Sequence, residues 1–147
     1  MIEIRRLGRG DDALVMEAGH LFDDPLKPEA VKSFLNDSRH HMFLAYAGTM
    51  PIGFVSGVEL THPDKGTEMF LYELAVDEGH RRRGAGRALV DALGDLARER
   101  GCYDMWVLTD EDNDAALATY TKSGADLSST HVMLTWSHPG SEGKADQ

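Results

Sequence analysis

Positions 85, 88, 89, 92, 93, 96 and 97 are apolar, and apart from Val90 the gaps hold charged residues or glycine. That spacing holds for over three turns and predicts a helix with one buried face. Arg100-Gly101 would end it, with Gly101 as C-cap. Just upstream, Phe70-Leu71-Tyr72-Glu73-Leu74-Ala75-Val76 is an apolar run with one carboxylate in it, the end of a strand beginning near Glu68. Between run and helix lies Arg81-Arg82-Arg83-Gly84-Ala85-Gly86-Arg87. The local order is therefore strand, short basic glycine loop, helix.

The same patterning reads the remaining chain. Ile2 to Arg5 alternates and predicts a first strand. Asp11 or Asp12 caps a helix running to about Leu21, and Asp23-Asp24-Pro25 breaks the chain. Pro28 and Glu29 suit the first turn of a second helix with Val31, Phe34 and Leu35 on its apolar side. Met42 to Tyr46 and Ile52 to Leu60 form a hairpin. Tyr103 to Leu108 is a further strand. Asn113 or Asp112 caps a helix carrying Ala116, Leu117 and Tyr120, which Gly124 ends. Thr130 to Trp136 alternates as a last strand, with Val132, Leu134 and Trp136 on one side. The order β-α-α-β-β-β-α-β-α-β predicts a mixed α/β domain with about four helices over residues 1–137. The polar, glycine-rich residues 138–147 are expected to be disordered.

Composition narrows the function. One domain is the expectation for 147 residues. No apolar run approaches the roughly 20 residues of a membrane span, and the first residues lack a leader pattern. A single cysteine, Cys102, makes no internal disulfide, so cytoplasmic residence is the expectation. The histidines and Cys102 lack metal-ligand spacing, so no metal is assigned. A formal net charge of -10 argues against a nucleic-acid partner and suits a cationic ligand. Yet Arg81, Arg82, Arg83 and Arg87 are four of only 15 lysines and arginines. A basic spot on an acidic body suits an anionic cofactor brought to a cationic substrate.

The loop itself has the parts of a phosphate cradle. The first amides of the following helix would face the loop with partial positive charge. Gly84 and Gly86 carry no side chains to hold an anion away from the backbone. The spacing matches neither a P-loop nor a dinucleotide-binding fingerprint, since position 89 is Leu. A solvated basic turn is the plainer alternative.

Arg81-x-x-Gly84-x-Gly86, after a strand and opening a helix, resembles the acyl-CoA signature of the GCN5-related N-acetyltransferases, as does Asn113-x-x-Ala116-x-x-x-Tyr120-x-x-x-Gly124 downstream. The resemblance implies a largely antiparallel sheet splayed beside the glycine-loop strand. It implies acetyl-CoA as cosubstrate, with its pyrophosphate on the amides of residues 81–88, from Arg81 through Gly84, Ala85 and Gly86 to Arg87 and Ala88. Leu74, Ala75 or Val76 would supply an amide to the developing oxyanion, and Asn113 and Ala116 would lie near the pantetheine arm. Asn113 could equally be a helix cap.

Acetyl transfer to an amine needs a base, a polarised carbonyl and a proton for the departing thiolate. Glu73 is the candidate base, because a carboxylate in an apolar strand is costly unless it faces a cleft or a partner. An ordinary open-face residue is the alternative. Tyr120 is implied as the acid by the downstream motif, and an unperturbed phenol is protonated at neutral pH. A core aromatic is the alternative. Asp23-Asp24, Asp110-Glu111-Asp112 with Asp114, and Glu68 with Glu73 are acidic groupings that could hold a cationic acceptor.

Within the family, Tyr72 to Val76, His80 to Gly84, Ala88-Leu89, Ala118 to Gly124 and Leu21-Phe22-Asp23-Asp24 are similar to the type I aminoglycoside 3-N-acetyltransferases. Those enzymes often carry Asp where this chain has Glu73; the extra methylene moves the carboxylate by roughly 1.5 Å. The implied acceptor is the 3-amine of an aminoglycoside antibiotic. Acetylation of a polyamine, an amino sugar or a protein N-terminus is the alternative within the class, and a non-catalytic acyl-CoA-binding module the alternative outside it. A homodimer is the prior expectation for oligomeric state.

Overall fold

The structure is a computed structural model and describes residues 1–140. Of the tail expected over 138–147, residues 141–147 lie outside the described residues. Five strands form one sheet in the order β1-β2-β3-β4-β5. They are β1 Ile2–Leu7, β2 His40–Ala47, β3 Met50–His62, β4 Gly66–Val76 and β5 Met105–Trp106. The first four pair antiparallel; β4 and β5 pair parallel. Four helices flank the sheet: α1 Asp12–Glu17, α2 Pro28–Asn36, α3 Ala85–Glu99 and α4 Asp114–Lys122. The α/β architecture with an open mixed sheet agrees with the expectation from the sequence.

Each face of the sheet has its own core. On one face α3 presses Leu89, Leu93 and Leu96 onto Phe43, Ile52, Val55, Met69 and Leu71, and Tyr120 of α4 packs against the same cluster. On the other, α1 and α2 bring Val15, Val31 and Leu35 onto Leu7, Met42, Leu44, Tyr46 and Phe54. The α3 stripe follows the predicted spacing. The helix stops as expected: Gly101 is left-handed (φ 79°), the Cys102 N–H donates to Ala97 O at 2.9 Å, and the Gly101 N–H to Arg98 O at 3.1 Å. This pairing satisfies carbonyls that a helix end leaves bare.

Three expected elements differ. The first helix is shorter: α1 ends at Glu17, and a 3-10 turn, Gly19–Leu21, follows. Gly19 is a poor helix former and uncouples the two. The strand expected over 103–108 shrinks to Met105–Trp106. The last strand, expected over 130–136, is absent; residues 125–138 form neither helix nor strand. Val132, Met133, Leu134 and Trp136 are all exposed, each with 76% or more of its surface open. Alternation makes a strand only beside a partner edge, and β5 with two residues offers almost none.

Candidate active site

The glycine loop is shaped by left-handed backbone. Gly84 is the residue before α3 and has φ 87°, which suits glycine; Arg82 holds φ 65°, uncommon for a residue with a side chain. A Cβ at Gly84 would meet nothing within 4 Å, so its role is conformational. Gly86 acts differently. A Cβ there would lie 3.4 Å from Thr119 Cγ2, so its bareness lets α4 approach α3. The first helical bond runs from the Ala88 N–H to Gly84 O at 3.0 Å. The earlier amides have no partner within the helix and point toward the loop. Ala85 is buried and Ala88 half-buried, so both methyls belong to the protein interior. Arg82, Arg83 and Arg87 are exposed around the amides. Arg81 Nε donates to Val76 O at 3.2 Å and ties the loop to the strand end. Backbone donors and guanidiniums around one turn fit a diphosphate.

Beside this loop the sheet opens. The β4–β5 ladder joins only Met69 to Met105 and Phe70 to Trp106. From Leu71 to Val76 the outer edge of β4 has no strand beside it among the described residues. The Asp77 N–H bonds Ile52 O at 2.7 Å, on the β3 side. Strand alternation turns Ala75 the same way, and turns the N–H and C=O of Leu74 and Val76 to the open edge. Of the three amides considered for an oxyanion, Ala75 therefore points away from the opening.

A bulge sits where the sheet opens. Gly57 pairs with Leu71 and Ser56 with Glu73, leaving Tyr72 as an extra residue on β4. One extra residue reverses the alternation. Met69 and Leu71 before it, and Leu74 and Val76 after it, all face the α3 core. Ala75 faces the α1–α2 side, and Glu73 with it. Without the bulge Glu73 would share the face of Met69 and Leu71, beneath α3.

On the α1–α2 side Glu73 stands at the rim of a cleft of about 210 Å³. Phe22, Pro25, Leu26, Ala30, Phe34 and Met42 supply much of its wall, and Lys27 and Glu73 are its ionisable members. Crowding by the protein raises the Glu73 pKa above the ordinary carboxylate value, and the negative charge of Asp23 raises it further. Asp23 thus joins Glu73, whereas Asp24 lies next to it in the same exposed loop. The Tyr120 hydroxyl belongs to the opposite side of β4, where burial raises its pKa. The carboxylate and the phenol thus belong to opposite faces of the sheet.

A scan against family models matches residues 12–125 to the "Acetyltransferase (GNAT) family". The chain belongs to the GNAT family. N-acetyltransferase 8 of Rattus norvegicus is 28% identical over 111 residues, 74% of this chain and 50% of the relative. The L-2,4-diaminobutyric acid acetyltransferase of Streptomyces coelicolor is 36% identical over 73 residues, 49% of this chain and 42% of that protein. The chain spans half or less of the length of these curated relatives. Among solved structures, an aminoglycoside acetyltransferase from an uncultured soil metagenomic sample superposes with TM-score 0.82 at 23% identity, covering 92% of this chain and 97% of that one. Aminoglycoside N-acetyltransferase AAC(6')-Iy in complex with CoA gives 0.77 at 18%, covering 92% and 95%. At these identities the structures establish the fold.

The other expected site residues of this GNAT chain have contacts of their own. Asn113 Oδ1 accepts the Ala116 N–H at 3.1 Å, so the Asn113 carbonyl and the Ala116 amide are engaged in capping α4. Asp110, Glu111 and Asp112 are exposed, and their described bonds are backbone ones: Asp110 O accepts from Asn113 N at 3.0 Å and Asp112 O from Asp114 N at 3.1 Å. None of these joins them to Glu73. Glu68 is separated from Glu73 and serves the far end of the hairpin. It bonds His62 Nε2 at 2.9 Å and accepts the Tyr103 hydroxyl at 2.9 Å, and these contacts, the His62 bond foremost, hold its pKa down. Sequence reading missed the bulge and the apolar cleft. The bulge left a trace: apolar positions 69, 71, 74 and 76 break the period of two.

Proposed function

We propose that this chain acetylates a primary amine of a small cationic molecule by direct attack on acetyl-CoA. The observation that carries the reading is the open outer edge of β4, with Glu73 on one face of the sheet and Tyr120 on the other, in a strand that leads into the loop of left-handed Gly84. The cosubstrate diphosphate sits on the amides of residues 82–88, and its thioester arm runs along the open edge. Glu73 takes a proton from the acceptor ammonium; its raised pKa makes it a better base than an ordinary carboxylate. The free amine nitrogen bonds to the thioester carbonyl carbon while amides at Leu74 and Val76 meet the oxyanion. The carbon–sulfur bond breaks, the thiolate takes the Tyr120 proton, and the second proton of the attacking nitrogen passes back to the Tyr120 phenolate. Products are an acetamide, CoA and one proton, which Glu73 releases to solvent.

For the acceptor, the aminoglycoside 3-amine is the reading drawn from the sequence. The formal charge of -10 and the negative charge of Asp23 on Glu73 support a cationic amine, a class that includes aminoglycosides and smaller amines, and the fold is shared with aminoglycoside acetyltransferases. Regiochemistry rests on sequence resemblance, since a 6'-type enzyme shares the fold. Relatives named for diaminobutyric acid and for a ribosomal-protein alanine support the wider class of primary amines.

The test is CoA thiol release from acetyl-CoA with kanamycin and with small amines. Amine-dependent release is expected, and Tyr120→Phe should slow it by about 10- to 100-fold with CoA affinity retained. Tight CoA binding without release on any amine would favour the non-catalytic acyl-CoA-binding module.

A further inference from the structure

The cleft beside Glu73 has a size, a lining and one unexplained polar atom, and together these describe an acceptor. Its volume is about 210 Å³. Drug-sized ligands occupy clefts of about 300–1,000 Å³, so the recessed part of this one seats a side-chain-sized group. Phe22, Leu26, Ala30, Phe34 and Met42 make its wall apolar, and Glu73 places a carboxylate at the rim. Ser56 is the unexplained element. It is 2% exposed and pairs with Met42 on one side and Glu73 on the other, both lining residues. Cross-strand partners share a face, so Ser56 lies beneath the cleft between them. Its Oγ has no hydrogen-bond partner among the described residues. A buried hydroxyl without a partner is costly, and one under a ligand cleft next to a carboxylate is placed to meet a ligand's N–H.

We infer that the acceptor is an amphiphilic primary amine, its nitrogen held between Glu73 and the Ser56 hydroxyl and its apolar substituent, a branched alkyl or phenyl group a few bonds away, seated in the cleft. This rests on the reading that Glu73 faces the acceptor. Asp23 adds negative potential at the amine end. The apolar end gains from leaving water, as any aliphatic or aromatic side chain does on burial. A polycationic sugar offers the cleft nothing comparable and would have to lie across its mouth.

The experiment compares four acceptors by CoA thiol release from acetyl-CoA: leucinamide, phenylalaninamide, glycinamide and kanamycin. The first three carry the same α-amine and differ in the substituent. The expected kcat/KM of leucinamide or phenylalaninamide exceeds that of glycinamide by on the order of 10- to 100-fold, and exceeds that of kanamycin. Ala30→Phe, on an exposed position of α2 that lines the cleft, should bring the leucinamide-to-glycinamide ratio close to one. Ser56→Ala should weaken all three amides alike, because it removes a contact to the nitrogen. Equal rates for glycinamide and leucinamide, or kanamycin above all three, would leave the transferase reading standing and overturn the amphiphilic acceptor. Release with none of the four overturns both.

Discussion

The two faces of the sheet are covered unequally. Beneath α3 the packing is closed: Leu89 and Leu93 are fully buried, and a Cβ added at Gly57 would fall 2.8 Å from Leu93 Cδ1. Beneath α1 and α2 the packing is incomplete, and the two short helices with the loop between them leave a cleft with Glu73 at its rim. The closed face fixes α3, and through it the loop amides at residues 82–88. The open face leaves room for a second reactant. The Tyr72 bulge decides which face receives Glu73. A single inserted residue thus moves a carboxylate from a site where it would be a buried liability to one where it can work.

The largest expected effect tests the open face. Glu73→Gln keeps shape and removes the base, so kcat should fall by about 10²- to 10⁴-fold. Folding and CoA affinity should hold, since the side chain is exposed and on the face away from α3. The raised Glu73 pKa adds a pH signature. Activity requires the ionised form, so it is present above that pKa and lost as pH falls through it. The acid limb of kcat/KM should therefore lie above the ordinary carboxylate value, and Asp23→Asn should move it down by removing the nearby negative charge. A Gln variant with near-full rate would remove Glu73 from the chemistry.

Breaking the closed face should do the opposite. Leu93→Ala removes a fully buried side chain from beneath α3 and should cost about 2–5 kcal/mol of stability. Phe34→Ala on the half-buried cleft wall should cost about 1 kcal/mol, because one side of the ring already faces the opening. Urea titrations of both variants measure the contrast. At temperatures where Leu93→Ala stays folded, its KM for acetyl-CoA should be near normal. Equal losses for the two would mean that the faces are packed alike.

The closed face was the part most legible in the sequence. The α3 stripe and its Gly101 stop are local signals, written in a period of 3.6 and one glycine, and both stand in the structure. The loop before α3 was legible for the same reason. The features that were not legible depend on partners distant in sequence. Thr130 to Trp136 has the alternation of a strand but no edge to join. The bulge exists because ten residues of β3 are paired with eleven of β4 from Gly66 to Val76. The cleft depends on how α2 and the loop before it sit over the sheet, which leaves Phe34 of α2 half covered on its wall. Asn113 shows a further limit: cap and cofactor contact look identical in a motif, and the 3.1 Å bond to Ala116 establishes the cap without bearing on the cofactor contact.

The smallest effect concerns a buried group at the edge of the closed face. His41 Nε2 lies 2.6 Å from Glu59 Oε2, both side chains are buried, and Arg100 at the end of α3 pairs with the same carboxylate. Burial lowers the His41 pKa, and Arg100 and Arg6 add to this, while Glu59 opposes it; the net direction is down. The folded state therefore favours the neutral ring, and the unfolded chain, with a value near 6.5, binds the proton first as pH falls. Stability from this group is full above the unfolded value and is lost as pH drops from there through the folded one. One proton limits the slope to about 1.4 kcal/mol per pH unit. Thermal melts at pH 7.5 and 5.5 should show a lower Tm at the acid end, and His41→Gln, which keeps an N–H donor toward Glu59, should flatten that difference. The raised pKa of Glu73 acts with the opposite sign, since a folded state that binds the proton more tightly gains stability as pH falls, so Glu73→Gln should not flatten the difference. A slope that His41→Gln leaves unchanged would remove the acid sensitivity from the α3 anchor.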